Sequence, residues 1–450
     1  MKTIKHIIAV FTAIILLASC EKKSYVPVFD ELPQARVAKQ IDSVKSILTG
    51  AEYGWIGILS TGTGGGFGFF MEFDDQENVK MMADLTNTSA VEVKSSRYRI
   101  RQDAGVALTF DTYNYISLLN APNPNMYGGA IRDGFRSDID FIYDHATADS
   151  IIFVGKRYRQ QFKLVKATAA QKAAYYEGKY LVNINGFRNF FSTKFNNYIE
   201  LGSDKIAVGA VTDSSLATGK RITFTRKEDG SAVAVTQKFG YTVDKMVMTD
   251  AGAAVLDKRF THAALKDANT MAIYDAGGTE YLVKQNPVPL IDFLSVYAYN
   301  KAYNSIFVPN GTSLPPGVTS DFNTVYNDLV NRFAASGRTI RDFEIKLNNS
   351  NTFAIRINYY ANSAPTTVYL AEALSSYTFE DGIIKLTGNL SINGNWNTRA
   401  AQIGDFGTSF FQGKSFRPDW VSSTVPGLNL GGLYRVDQPT AFVYGVMRRS

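Results

Sequence analysis

The sequence predicts a mainly β fold with a minor α+β component. The expected units are consecutive antiparallel β-sandwich or barrel-like blocks, each introduced by a short amphipathic helix. Three observations point there. Phe and Tyr are abundant, at 30 and 25 of 450 residues, and aromatic side chains favour the pleated, half-buried surface of a sheet. Short apolar runs alternate with polar turns rich in Gly, Asn and Asp. Helical periodicity is confined to brief stretches that precede the strand-rich runs. Hydrophobic residues make up 45% and charged residues 20%, which supplies more than one core and excludes disordered and collagen-like chains. The same signals divide the chain into 1–19 (signal peptide), 20–32 (lipidated tether), 33–166 and 167–286 (β-rich), and 287–450 (α+β).

The first helix is expected over 33–49. Pro33 suits its first position, Asp30 and Glu31 lie at its positive end, and Val37, Ile41, Val44 and Leu48 form one apolar stripe. Gly50 then closes it in the C′ role. Strands are expected at 54–60, 66–73, 79–83, 91–101, 106–110, 137–143, 150–155 and 161–165, with a helical piece at 113–119 and a loop at 120–129. The second block opens with a helix at 168–176. Its strands fall at 198–201, 205–208, 221–226, 232–238 and 245–249, with a hairpin turn at 227–231. The third block has helices at 290–302 and 321–333, then strands at 341–347, 352–360, 366–370, 383–387, 415–421 and 441–447.

The N-terminus carries an export signal. Lys2 and Lys5 precede a run from 7 to 17 whose one polar residue is Thr12. That run is too short for a bilayer core, which needs about 20 apolar residues in a helix, and it fits the apolar part of a signal peptide. Leu17-Ala18-Ser19-Cys20 resembles a bacterial lipobox, so Cys20 is the expected lipidation site. Two or more acyl chains would make anchoring effectively permanent. The expected location is the outer membrane, lipid-anchored and facing the cell surface. Cys20 is the sole cysteine, so disulfide scaffolds and thiolate zinc sites are excluded. A net charge of +6 on a chain of this length gives no indication of a nucleic-acid partner.

Catalytic motifs are sparse. His145 and His262 are the histidines beyond the leader, and there is no H-E-x-x-H. The segment 407–411 lacks the closing Gly of a nucleophile elbow. The Gly-rich run at 64–68 has no following Lys-Ser/Thr and leads into a strand, so it reads as a flexible turn rather than a phosphate loop. Asp138 and Asp140, with Asp133 nearby, read as a solvated strand face rather than a calcium site. No catalytic residue, cofactor or metal is therefore assigned. The candidate ligand-binding residues are Trp396 and Trp420, which would stack on a ligand if exposed, and Arg97, Arg99 and Arg101, which form one basic stripe along a strand.

Several segments together carry a family resemblance. They are Gly54-Trp55, Phe69-Phe70-Met71-Glu72-Phe73, Val79-Lys80-Met81-Met82, Phe110-Asp111-Thr112-Tyr113-Asn114, Ser137-Asp138-Ile139-Asp140-Phe141 and Ile152-Phe153-Val154-Gly155-Lys156. In that order behind a lipobox, the chain resembles a family of uncharacterised Bacteroidetes lipoproteins built on a domain of unknown function. The resemblance implies a place in a nutrient-uptake locus, beside a SusC-like transporter and a SusD-like capture lipoprotein. It carries over no site residues. The expected role is a non-catalytic accessory binding protein for a glycan or peptide, partnered by that transporter complex and by the membrane through its lipid. The alternatives are a carboxylate-dependent hydrolase and a fimbrillin-like structural subunit.

Overall fold

The computed structural model describes residues 32–212, 219–228 and 231–450. The expected signal peptide, Cys20, the expected tether up to residue 31 and the centre of the turn at 227–231 lie outside the described residues. Among these residues the strands form three antiparallel sheets, each curled around its own apolar core. This is the mainly β, barrel-like architecture that the composition and turn spacing predict.

The first sheet contains β1 (Trp55–Ser60), β2 (Gly66–Phe73), β3 (Asn78–Ala83), β4 (Lys94–Arg97), β5 (Arg99–Gln102), β6 (Val106–Thr109), β7 (Asp140–Ala146), β8 (Ser150–Gly155) and β9 (Gln161–Lys166). Their order is β4-β3-β2-β1-β9-β8-β7-β6-β5. The two edges, β4 and β5, are separated in sequence by Tyr98 alone, so the sheet curls until its edges meet. Tyr98 is fully buried, sets its ring edge-on to Phe73 at 4.9 Å and donates its hydroxyl to the Asp74 carbonyl. Helix α1 (Pro33–Thr49) packs Val44 and Leu48 into this core, and Trp55 Nε1 donates to the Leu48 carbonyl at 2.9 Å. Gly50 does close the helix, but at φ −78°, without the left-handed conformation expected of that position.

The second sheet follows α2 (Ala169–Tyr176) and α3 (Lys179–Thr193). Its strands are β10 (Asn197–Leu201), β11 (Asp204–Val211), β12 (Arg221–Glu228), β13 (Ser231–Tyr241), β14 (Met246–Met248), β15 (Ala253–Val255), β16 (Lys258–Leu265), β17 (Met271–Asp275), β18 (Glu280–Leu282) and β19 (Lys284–Gln285). The order β18-β17-β16-β14-β13-β12-β11-β10-β19, with β15 paired to β16, repeats the device of the first sheet: here Val283 alone separates the two edges. Tyr180, Ile184, Phe187 and Phe190 of α3 enter the core.

The third sheet is a closed barrel of β20 (Ser305–Val308), β21 (Arg338–Leu347), β22 (Thr352–Ala361), β23 (Ala364–Glu380), β24 (Ile383–Ile392), β25 (Ser415–Val421), β26 (Leu430–Arg435) and β27 (Phe442–Arg448). The amphipathic helix α4 (Phe322–Ala335) contributes Phe322, Tyr326, Leu329 and Phe333 to its core. Each such side chain contributes roughly 1.5–3 kcal/mol on burial. The helix expected over 290–302 is reduced to Phe293–Val296. The chain then turns back through a Tyr297–Tyr303 bridge, with the buried Tyr297 ring against Phe293.

The first two sheets meet where β2 crosses β13. Along β2, Phe67, Phe69 and Met71 enter the first core while Phe70 enters the second, with Ile56 and Met82. Glycine lets the two backbones touch. A Cβ on Gly68 would lie 1.8 Å from the Tyr241 carbonyl oxygen, and one on Gly240 would lie 2.6 Å from the Phe67 carbonyl carbon. The end of the 64–68 run is therefore a packing seam, not a flexible turn. Tyr180 donates its hydroxyl to the carbonyls of both Gly68 and Tyr241, each at 3.0 Å. Beside the seam, Lys220 and Asp84 form a fully buried pair at 2.5 Å, and Asp84 also accepts the Tyr241 N–H. Burial pushes the Asp84 carboxyl up and the Lys220 amine down to about 8, against their mutual attraction.

Candidate functional site

The angle between the first and second sheets forms a groove of about 380 Å³. One wall is the outer face of β1 and β9. Along β1, Trp55 and Leu59 point inward with Gly57, whose missing side chain leaves space for Leu164 and Phe162, so Ile56 and Ile58 point out. On β9 the same alternation turns Phe162 and Leu164 inward and Gln161, Lys163 and Val165 outward. The other wall comes from β14, the turn after it and β16. Val247 lies opposite His262 in register. The turn places Asp250 at φ 54° and Gly252 at φ 83°. A Cβ on Gly252 would lie 2.1 Å from the Phe260 carbonyl oxygen, so the turn requires glycine there.

The groove thus has an aliphatic floor of Ile56, Ile58, Val165, Val247 and Met248, and a polar rim. His262 stacks on Tyr274, with centroids 4.7 Å apart and planes 4° apart, and its Nδ1 lies 3.0 Å from the Thr261 hydroxyl. Burial, then the nearby Lys245 charge, hold its pKa below the ordinary value, so the imidazole is neutral at pH 7. Lys163, Lys166 and Lys245 line the groove and form no ion pair among the described residues. Its two carboxylates engage local hydroxyls: Thr242 donates to Asp244 at 2.9 Å and Thr249 to Asp250 at 3.1 Å.

A second cavity, of about 440 Å³, lies between the outer face of β10–β13 and the segment 289–295 that leads to the barrel. Its cations are already engaged. Lys227 pairs with Asp292 across the joint at 2.8 Å, Arg226 pairs with Glu228, and Lys205 donates to Asn286 and lies over the Tyr198 ring. Small side chains and satisfied charges make this cavity a joint between units. The groove beside His262, with unpaired cations over an apolar floor, is the better binding site.

The residues singled out from sequence fall elsewhere. Trp396 is 6% exposed on the short helix Gly394–Thr398, with its ring in the barrel core. Trp420 is part-buried, edge-on to Phe293 at 5.0 Å, and donates Nε1–H to the Ile291 carbonyl. Arg97, Arg99 and Arg101 do share an exposed face. However, they span the β4–β5 junction, and each meets a carboxylate: Glu77 at 3.8 Å, Asp111 at 2.7 Å and Asp140 at 3.1 Å respectively. Asp138 is buried rather than solvated, and accepts the N–H groups of Arg157 and Tyr158 that shape the turn after β8. His145 is exposed beside Asp144. Among the described residues no cluster of His, Cys, Asp and Glu is arranged to hold a metal ion. The lysines of the groove were not picked out from sequence. Their one local signal was the alternation of β9, which shows a solvent-facing side but not what faces it.

The family model described as Domain of unknown function (DUF4302) matches residues 27–261. That span covers the whole first sheet and ends within β16, so it includes both walls of the groove except His262. No curated protein matches the chain.

Proposed function

The chain belongs to the DUF4302 family, and from that premise we propose that it is a lipid-anchored protein of the outer-membrane surface that captures ligand for a SusC/SusD-like importer. The family description assigns no activity, so the reading rests on the chain itself. The observation that carries it is the groove between the first two sheets. Its apolar floor supplies binding energy, its rim of lysines, threonines and glutamines supplies orientation, and its position between two rigid sheets keeps it pre-formed. Capture needs no covalent step. The export signal and Cys20 support the tether, and the resemblance to Bacteroidetes uptake lipoproteins supports the partner. No helix among the described residues is long and apolar enough to cross a membrane.

Two measurements test this. Cys20→Ser is expected to move the protein from the membrane fraction to the soluble fraction; membrane association that survives the substitution would remove the anchor. Affinity purification of the full chain from solubilised envelopes is expected to recover a SusC-like and SusD-like pair. Recovery of neither would leave the importer role without support, whatever the groove binds.

A further inference from the structure

We infer that the groove beside His262 takes an acidic peptide segment rather than a sugar chain. The inference rests on the groove being a ligand site, as proposed above, and goes on to name the chemical class of its ligand.

Two independent features of the lining point the same way. The first is the floor. Ile56, Ile58, Val165, Val247 and Met248 are aliphatic or thioether side chains, and among the described residues no Trp, Tyr or Phe lines the groove. The C–H face of a sugar ring packs well on the negative face of an aromatic ring, which an aliphatic floor does not offer. An aliphatic floor instead suits the apolar side chains of a peptide, whose transfer from water needs no partner of special geometry. The second is charge. Lys163, Lys166 and Lys245 stand around this floor with no ion pair among the described residues, and they outnumber the two carboxylates of the rim, Asp244 and Asp250, which accept hydrogen bonds from Thr242 and Thr249. Elsewhere on the first sheet the exposed arginines of β4 and β5 each have a carboxylate. Cations left unmatched in a concave site attract a ligand that carries carboxylates. The rim also offers Gln161, whose amide both donates and accepts, as a peptide backbone requires. A peptide that alternates apolar and acidic side chains would place one set on the floor and the other toward the lysines.

The test uses the full chain in detergent and four probes: a fluorescein-labelled peptide of alternating Leu and Glu, its Leu and Lys counterpart, an oligogalacturonate, and a neutral malto-oligosaccharide. The acidic peptide is expected to bind, and to weaken as salt is raised, because the rim is exposed. Lys163→Glu combined with Lys245→Glu is expected to weaken it by about tenfold or more, since two exposed attractions become repulsions. Val247→Trp, which fills the floor and leaves the charges in place, is expected to weaken it as well. Preference for the basic peptide would overturn the charge assignment. Binding of the oligogalacturonate or malto-oligosaccharide through the same lysines, with no peptide bound, would overturn the peptide class and leave the groove standing as a ligand site. Failure of all four probes would overturn both the inference and the site itself.

Discussion

At the scale of single residues, the absence of a side chain decides where the two sheets sit. Gly68 and Gly209 are both strand glycines, yet they differ completely in surroundings. A Cβ on Gly68 would lie 1.8 Å from the Tyr241 carbonyl oxygen, whereas one on Gly209 meets nothing within 4 Å. The obstacle at Gly68 is backbone, which cannot swing aside as a side chain could. Gly68→Ala is therefore expected to destabilise by about 3 kcal/mol or more, because β2 and β13 must separate. Gly209→Ala is expected to change stability by less than about 0.5 kcal/mol. Urea midpoints of the two variants check this, and equal midpoints would show that the seam can yield. The neighbouring Lys220–Asp84 pair contributes in a different way. With both groups fully buried, desolvation offsets much of their attraction, so the pair adds little net stability but strongly disfavours any arrangement that separates the two charges.

At the scale of elements, a ladder of charge ties adjacent strands of the barrel. Glu344 of β21 is 4% exposed and accepts from Ser305 of β20 at 2.6 Å and from Arg448 of β27 at 2.7 Å, while Arg356 of β22 reaches it at 3.6 Å and pairs with Glu372 of β23 at 2.7 Å. Burial alone would raise the Glu344 pKa, but hydrogen bonds from Ser305 and Ser450 and the charge of Arg448 outweigh it and hold it below the usual value. A carboxyl depressed on folding stabilises the protein above its unfolded pKa, about 4.3, and that stability is lost as pH falls through the folded value. Glu344→Gln is expected to cost about 2 kcal/mol at pH 7, with the gap from the parent narrowing once the pH drops below about 4. Unfolding series at several pH values measure it, and a gap independent of pH would mean that charge is not its source.

The same scale shows what sequence could convey. β2, β8 and β25 occupy the very spans their alternation predicts, 66–73, 150–155 and 415–421, and α4 differs from its predicted span, 321–333, by one residue at its start and two at its end. These elements show their pattern locally. Helix α3 does not: Asn183, Asn185, Asn189 and Gly186 are weak helix formers, and the helix is held by Tyr180, Ile184, Phe187 and Phe190 against strands more than 50 residues away. β26 was hidden for a similar reason. Gly431 reads as a turn residue, yet it lies within the strand, where the Met447 side chain and the Phe293 ring pack over it. The groove was less readable still. Lys163 comes from β9, Lys245 from the turn before β14 and His262 from β16, so the groove exists only once the first two sheets pack together along β1, β2 and β13.

At the scale of the whole molecule, the three sheets are coupled unequally. Ile56, Phe70 and Met82 of the first sheet are core residues of the second, so neither sheet can open without exposing the core of the other. The barrel's principal core is built entirely from side chains between Phe293 and Val443. Its links to the second sheet are lighter: Lys227 to Asp292, the side chains of Asn196 and Asn429 at 3.1 Å, and Phe195 over Gly427. Scattered contacts of that kind resemble a joint between domains more than a shared core. Calorimetry of the full chain is therefore expected to show two unfolding transitions, the first two sheets together and the barrel alone. Gly68→Ala then becomes the diagnostic. It is expected to lower one transition by roughly 6–10 °C and leave the other in place. A single transition, or an equal shift of both, would mean that the joint at 289–295 couples the barrel as tightly as the glycine seam couples the first two sheets.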